Sequence, residues 1–222
     1  MKGRPITLEE FERMLLKVES GLVAAHERDD AKRAKPNRIG NAALENYRQR
    51  QIEAAKGAAP KWRHLLTGLW LSGLRLEESL ELSWDRDDKL RVDFQPGELP
   101  MLRIPGELEK GNTDRLLPMA PEFAEFLQQT PEAERAGYVF NPTPRSKRSA
   151  RLGKTQVGRI ISMIGEKAGV KVKINAATRE VKYASAHDLR RSFGLRWASR
   201  VMPQVFMVLE RSSSSSSAMP AN

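Results

Sequence analysis

The sequence predicts a mixed α+β domain, mostly helical, with a small antiparallel sheet lying on one side. Three observations predict it. Apolar residues recur at helical spacing from Thr7 to Trp84. From residue 89 the period changes to short alternating runs broken by Pro-Gly, Ile-Pro-Gly and Lys-Gly-Asn turns. The helical period then returns after residue 120. With 222 residues the chain is long enough to bury a sizeable core.

The first helix is expected over "TLEEFERMLLKVESGL", where Thr7 and Glu10 form a capping box and Leu8, Phe11, Leu15 and Val18 share a face. Residues 26–38, charged and carrying a proline, read as a loop or frayed helix end. A second helix is expected over "NAALENYRQRQIEAAK", and Pro60 is expected to start a third, "KWRHLLTGLWLSG". "LRLEESLELSW" after Gly73 reads as a fourth. "KLRVDFQP", "MLRIPGELE" and "DRLLPMA" supply about three strands. Helices resume at "APEFAEFLQQT", "KTQVGRIISMIGEKAG" and "SAHDLRRSFGLRW", the first two separated by the basic loop "NPTPRSKRSARLGK". Residues 1–209 thus read as one domain, and residues 210–222, containing a run of serines, as a disordered tail.

Composition narrows the function. Lysine and arginine number 38 against 28 acids, a net charge of +10, which favours polyanionic partners. No apolar run is long enough to span a bilayer, and "MKGRPITLEEFERML" has mixed charge and no apolar h-region. The absence of cysteine excludes disulfides and thiolate metal sites, and a cytoplasmic location is expected. There is no Walker loop, GxGxxG or HExxH, and the three histidines are scattered, so neither a metal nor another cofactor is expected.

What remains is a set of cations at element boundaries. Arg75 follows Gly73, and alone it reads first as a surface arginine paired with Glu78. Lys110 lies in "LEKGNTDRLLP", at the tip of an expected hairpin, where a solvated lysine is commonplace. His187 and Arg190, three apart at a helix start, point two donors to one side, as a capping histidine beside a surface arginine also would.

Together, "TGLWLSGLRLEESLELSW", "EKGNTDRLLPMAPEFAEFL" and "HDLRRSF", in this order, resemble the tyrosine recombinase (phage integrase) family. The resemblance runs from about Pro5 to about Val208 and implies the catalytic domain of a DNA breaking and rejoining enzyme. It implies that Arg75, Lys110, His187 and Arg190 are catalytic and that Glu78 braces Arg75. It implies double-stranded DNA as partner, with further protomers in a tetramer on DNA. The basic residues Arg145, Lys147, Arg148, Arg151, Lys154 and Arg191 are expected to meet the DNA backbone.

The chemistry accounts for the residue types. Cleaving a phosphodiester without metal adds negative charge to the non-bridging oxygens. Two guanidiniums can offer paired donors to them, which lysine cannot. The resemblance implies that Lys110 protonates the leaving 5′ oxygen and that His187 binds the phosphate or assists proton transfer. The nucleophile in the family is a tyrosine, which forms a 3′-phosphotyrosyl link.

The sequence departs from the family at its end. After "MPQVFMVL", expected as the helix before a histidine turn, Ser212 or Ser213 stands where a second histidine or tryptophan belongs, and the nucleophile position falls near Ala221. The tyrosines are Tyr47, Tyr138 and Tyr183, all before His187. The serine run looks like a reading-frame change or truncated gene, unless the tyrosine comes from another protomer. The N-terminal helical domain that clamps DNA in the family is not matched. The expectation is an inactive or trans-dependent catalytic domain. Its rivals are a regulatory DNA-binding protein on the same fold, a type IB topoisomerase, and an RNA-associated module. The last is disfavoured because Phe94 alone would offer base stacking on the expected sheet.

Overall fold

The computed structural model describes residues 3–33, 41–95, 97–108, 113–143 and 151–214. Among them are seven α-helices and two antiparallel sheets. The expected fold class, mostly helical α+β with a small antiparallel sheet, is the one observed.

The Thr7–Glu10 capping box forms and opens α1 (Leu8–Leu16). The chain tightens at Lys17, whose N–H reaches the carbonyls of both Arg13 and Met14, so the single helix expected there divides into α1 and α2 (Val18–Arg33). Most of the stretch expected as a loop from residue 26 is therefore helical as far as Arg33, and residues 34–40 lie outside the described residues.

The second and third helices expected on either side of Pro60 are one helix, α3 (Asn41–Ser72). A proline inside a helix removes one backbone hydrogen bond and crowds the carbonyl four residues back. Pro60 faces solvent, so water can satisfy the freed carbonyl. On the other face Ala55, Ala59, Trp62, Leu65, Leu66 and Leu69 are buried on both sides of the proline and hold the two halves in line.

The core lies around α3. Phe11 of α1 stacks flat on Trp70, with ring centroids 4.5 Å apart. Gly21 of α2 lies so close to α6 (Lys154–Lys167) that a Cβ there would come within 2.5 Å of Ile164 Cγ1. Helix α4 is short (Leu76–Glu81) and buries Ser79 and Leu80 while its glutamates face outward.

Strands β1 (Arg91–Asp93), β2 (Met101–Ile104) and β3 (Arg115–Pro118) form the expected sheet, antiparallel in that order. Val92, Leu102 and Leu117 face one another across it and pack on the core. Helix α5 (Pro121–Gln128) buries Phe123 and Leu127. Residues 109–112, Lys110 among them, lie between β2 and β3 in the sequence and outside the described residues.

A second hairpin, β4 (Lys171–Ile174) with β5 (Val181–Tyr183), was not among the three strands expected. It leads straight into α7 (Ala186–Ser214). The helix expected at "MPQVFMVL" is the continuation of α7, without a break at Pro203. The helical backbone runs into the serine run as far as Ser214, beyond the boundary expected at 210. Among the described residues no helix is long and apolar enough to cross a membrane.

Candidate active site

The turn between α3 and α4 and the first turns of α7 are brought together by a glycine. Helix α3 ends at Ser72, and Gly73 takes φ +64°, the left-handed conformation that reverses the chain. The Phe193 ring sits directly on it, leaving no room for a Cβ, which would fall 2.2 Å from Cδ1. Arg75 is two residues after this contact, and Arg190 is one helical turn before Phe193.

Both arginines meet at Glu78. The Arg75 backbone N–H donates to Glu78 Oε2 at 2.6 Å, and its Nη1 donates to Oε1 at 2.7 Å. Arg190 Nη1 stands 3.6 Å from Oε2. Two nitrogens on the two oxygens of one carboxylate lie at most roughly 8–9 Å apart, close enough to share one phosphate. Arg75 is 70% exposed, and so keeps donors turned to solvent. Arg75 is thus paired with Glu78, as its local reading allowed, and also faces Arg190.

Charge follows the geometry. Partial burial tends to raise the Glu78 pKa, but the hydrogen bonds from Arg75 and the charges of Arg75 and Arg190 outweigh it and hold the carboxyl below its ordinary value. The hydrogen bond to Glu78 raises the Arg75 guanidinium further. His187, on the first turn of α7, is exposed. Desolvation and then the Arg191 charge push its pKa below 6.5, with Lys182 and Arg190 adding to them against Asp188. These effects favour the neutral imidazole, the form able to accept a proton.

The expected backbone-contact residues divide. Arg145, Lys147 and Arg148 lie outside the described residues, as do Lys110 and Ala221. The Arg151 guanidinium lies 3.5 Å from the centre of the Tyr138 ring, pairs with Glu81 at 3.2 Å and donates to the Phe140 carbonyl. It holds down the start of α6 more than it presents charge to solvent. Lys154 is exposed but paired with Glu77 at 2.6 Å. Arg191 turns inward to Asp188 at 2.7 Å.

Sequence reasoning missed the surroundings of Asp188, although "SAHD" has the Ser-x-x-Asp spacing of a helix start. It also missed the Gly73–Phe193 contact, which no local pattern marks. Among the described residues no group of histidine and carboxylate side chains could hold a metal ion.

Tyr47 lies on α3, and Tyr138 is covered by Arg151. Tyr183 lines an open cavity of about 510 Å³ with Arg28, Met163 and Lys182, and that lining includes none of Arg75, Glu78, His187 or Arg190.

No curated protein matches the sequence, and no solved structure does. The phage integrase family model matches residues 45–209, which include Arg75, Glu78, Lys110, His187 and Arg190. That match covers most of the chain and all three blocks, and the chain belongs to the phage integrase family.

Proposed function

We propose that this chain is the phosphate-binding catalytic domain of a site-specific DNA recombinase, and that its 222 residues hold the scissile phosphate without supplying the nucleophile. One observation carries the reading: Arg75 and Arg190, from distant parts of the sequence, converge on the two oxygens of Glu78. The carboxylate fixes Arg75 in place and keeps Arg190 within reach, and donors held ready before charge develops do most to stabilise a phosphorane-like transition state.

In the reaction, a tyrosine oxygen bonds to phosphorus as the bond from phosphorus to the 5′ oxygen breaks. Arg75 and Arg190 hold the two non-bridging oxygens. His187, in its neutral form, takes the proton from the attacking hydroxyl or hydrogen-bonds the phosphate. Lys110, between β2 and β3 in the sequence, gives its proton to the leaving 5′ oxygen. The bond energy is kept in the 3′-phosphotyrosyl link, so rejoining requires no nucleotide cofactor. The family implies a tyrosine after the His-x-x-Arg helix, and residues 184–222 contain none. In this reading the tyrosine comes from a neighbouring protomer or from a different reading frame past residue 209.

The test has two parts. The chain should bind a random-sequence DNA duplex, and the Arg75→Ala/Arg190→Ala double variant should bind it more weakly, with a salt slope shallower by roughly 0.9, since the two arginines hold one phosphate. Incubated with nicked duplex carrying the cognate site, the chain alone should give no protein–DNA band that survives denaturing electrophoresis. Mixing it with a tyrosine-bearing family member should give one. An unchanged salt slope would remove the phosphate clamp, and a covalent band from the chain alone would remove the missing-nucleophile reading, making Tyr183 the first residue to replace.

A further inference from the structure

The first turn of α7 is built on a buried carboxylate. Asp188 has no exposed surface. Its Oδ2 accepts from the Ser185 backbone N–H at 3.1 Å and from the Ser185 hydroxyl at 2.6 Å, and Lys182 Nζ lies 3.4 Å away. Its Oδ1 accepts from Arg191 Nη1 at 2.7 Å. The Asp188 backbone carbonyl accepts from the Ser192 hydroxyl, which itself accepts from the Ile6 N–H at 2.8 Å. Gly3 closes the site from above: a Cβ there would lie 2.3 Å from Asp188 Oδ1. The N-terminal segment is fastened beside it by the Arg4 N–H on the Val172 carbonyl.

We infer that Asp188 is a positioning residue, whose buried carboxylate fixes where α7 starts and so aims His187 and Arg190 at the phosphate.

A helix has one rotational phase, set by its first turn. Ser185 is the last residue before the helix and Asp188 the third within it, so the two bonds between them define that turn. His187 adjoins Asp188, and Arg190 follows two residues later. A rotation of the first turn swings both side chains away from the point set by Arg75 and Glu78. A buried carboxylate with several donors is also costly to leave half-paired, so the arrangement resists such a rotation. The charged groups that act on His187 are Asp188, Arg190 and Arg191 on its own helix and Lys182 on β5. Asp188 alone is negative, and it binds both Arg191 and Lys182.

The inference rests on the phosphate-site reading, and its test separates the two. The probe is a random-sequence DNA duplex, and the signal is the His187 ring resonance of the full chain, titrated with and without DNA. In the parent protein, a phosphate beside the imidazole should raise its midpoint by about one pH unit. In Asp188→Asn the chain should still bind DNA through its other cations, while that rise falls to a few tenths of a unit. Ser185→Ala removes one donor and leaves the carboxylate in place; it should give an intermediate rise, and it decides the matter if Asp188→Asn does not fold. No DNA-induced rise in the parent overturns the phosphate-site reading and the inference with it. A rise in the parent that is undiminished in a folded Asp188→Asn, or in Ser185→Ala where the first does not fold, overturns the inference alone.

Discussion

Replacing Gly73 by alanine should destabilise the domain and weaken its hold on DNA in one step. The new Cβ meets two obstacles. At φ +64° an L-residue costs about 1–2 kcal/mol in the left-handed region. The Cβ would also lie 2.2 Å from Phe193 Cδ1 and 2.5 Å from Cε1, so the ring or the turn must move, at about 1–3 kcal/mol for an overpacked site. The stiffer unfolded chain returns about 0.4–1 kcal/mol. The net loss is about 1–5 kcal/mol, or roughly 2–18 °C in Tm for a domain of this size. Gly169 is the control, because it has φ +68° but nothing within 4 Å of its Cβ position. Gly169→Ala should show only the backbone strain less the gain from the unfolded chain, a loss of no more than about 1–2 kcal/mol. The assay is urea unfolding of both variants, followed by tryptophan fluorescence, with affinity for a random-sequence duplex measured under native conditions. Gly73→Ala should also bind DNA more weakly than Gly169→Ala, because the ring that is displaced lies one turn from Arg190. Equal midpoints for the two variants would refute the Phe193 contact as what joins the α3–α4 turn to α7.

Three further outcomes are expected. Glu78 has its folded pKa held below the ordinary 4.5, so its contribution to stability is present above that value and is lost as pH falls through the folded one; thermal melts between about pH 3 and 6 should show a shallower acid slope for Glu78→Gln than for the parent. DNA affinity should fall by about 10³ or more between roughly 50 and 200 mM salt if about six phosphates are contacted, and salt-insensitive binding in a filter assay would point to another ligand. Arg196 lies 3.6 Å from the centre of the Trp70 ring, donates to the Trp70 carbonyl, and is pushed down to about 10, mainly by burial. Arg196→Lys should cost about 1 kcal/mol in urea unfolding by losing the planar stack, and an unchanged midpoint would discount that contact.

Local signals in the sequence were readable where one residue decides the structure. Thr7 and Glu10 announced their cap, and the Pro-Gly breaks around residues 96 and 105 divided the first sheet correctly. Pro60 misled because propensity is a local quantity, while the continuity of α3 is decided by side chains buried on both sides of the proline. The β4–β5 hairpin was legible in the alternation of "VKVKI", but its turn "NAATRE" lacks the Gly or Pro that marked the others. At the site, the order of the three blocks brought Arg75, His187 and Arg190 to notice. Their mutual geometry depends on Gly73 fitting under Phe193, a contact between distant residues that no sequence window contains. Arg151 shows the same limit in reverse: it sits in a basic loop, yet Tyr138 and Glu81 draw it inward.

Helix α4 shows how so small an element can organise a basic surface. Its glutamates hold cations from elsewhere in the chain: Glu77 takes Lys154, Glu78 takes Arg75 and Arg190, and Glu81 takes Lys89 and Arg151. Pairs this exposed contribute little to stability, of the order of 0–1 kcal/mol each, and salt screens them. Stability comes from the opposite side, where Ser79, Leu80, Leu82 and Ser83 are buried. The acids therefore act chiefly on direction. Without them, the long side chains of these cations would repel one another and spread; with them, the guanidiniums and amines gather around one short helix. An arriving phosphate then meets Arg75 with donors still open, and Arg190 only loosely held at 3.6 Å. A looser partner is released at little cost, while Arg75 is kept in place by both its backbone and its side chain. The asymmetry implies that Arg190 moves to the phosphate and Arg75 waits for it, so a structure with bound phosphate should show Arg190 displaced from Glu78 and Arg75 unmoved.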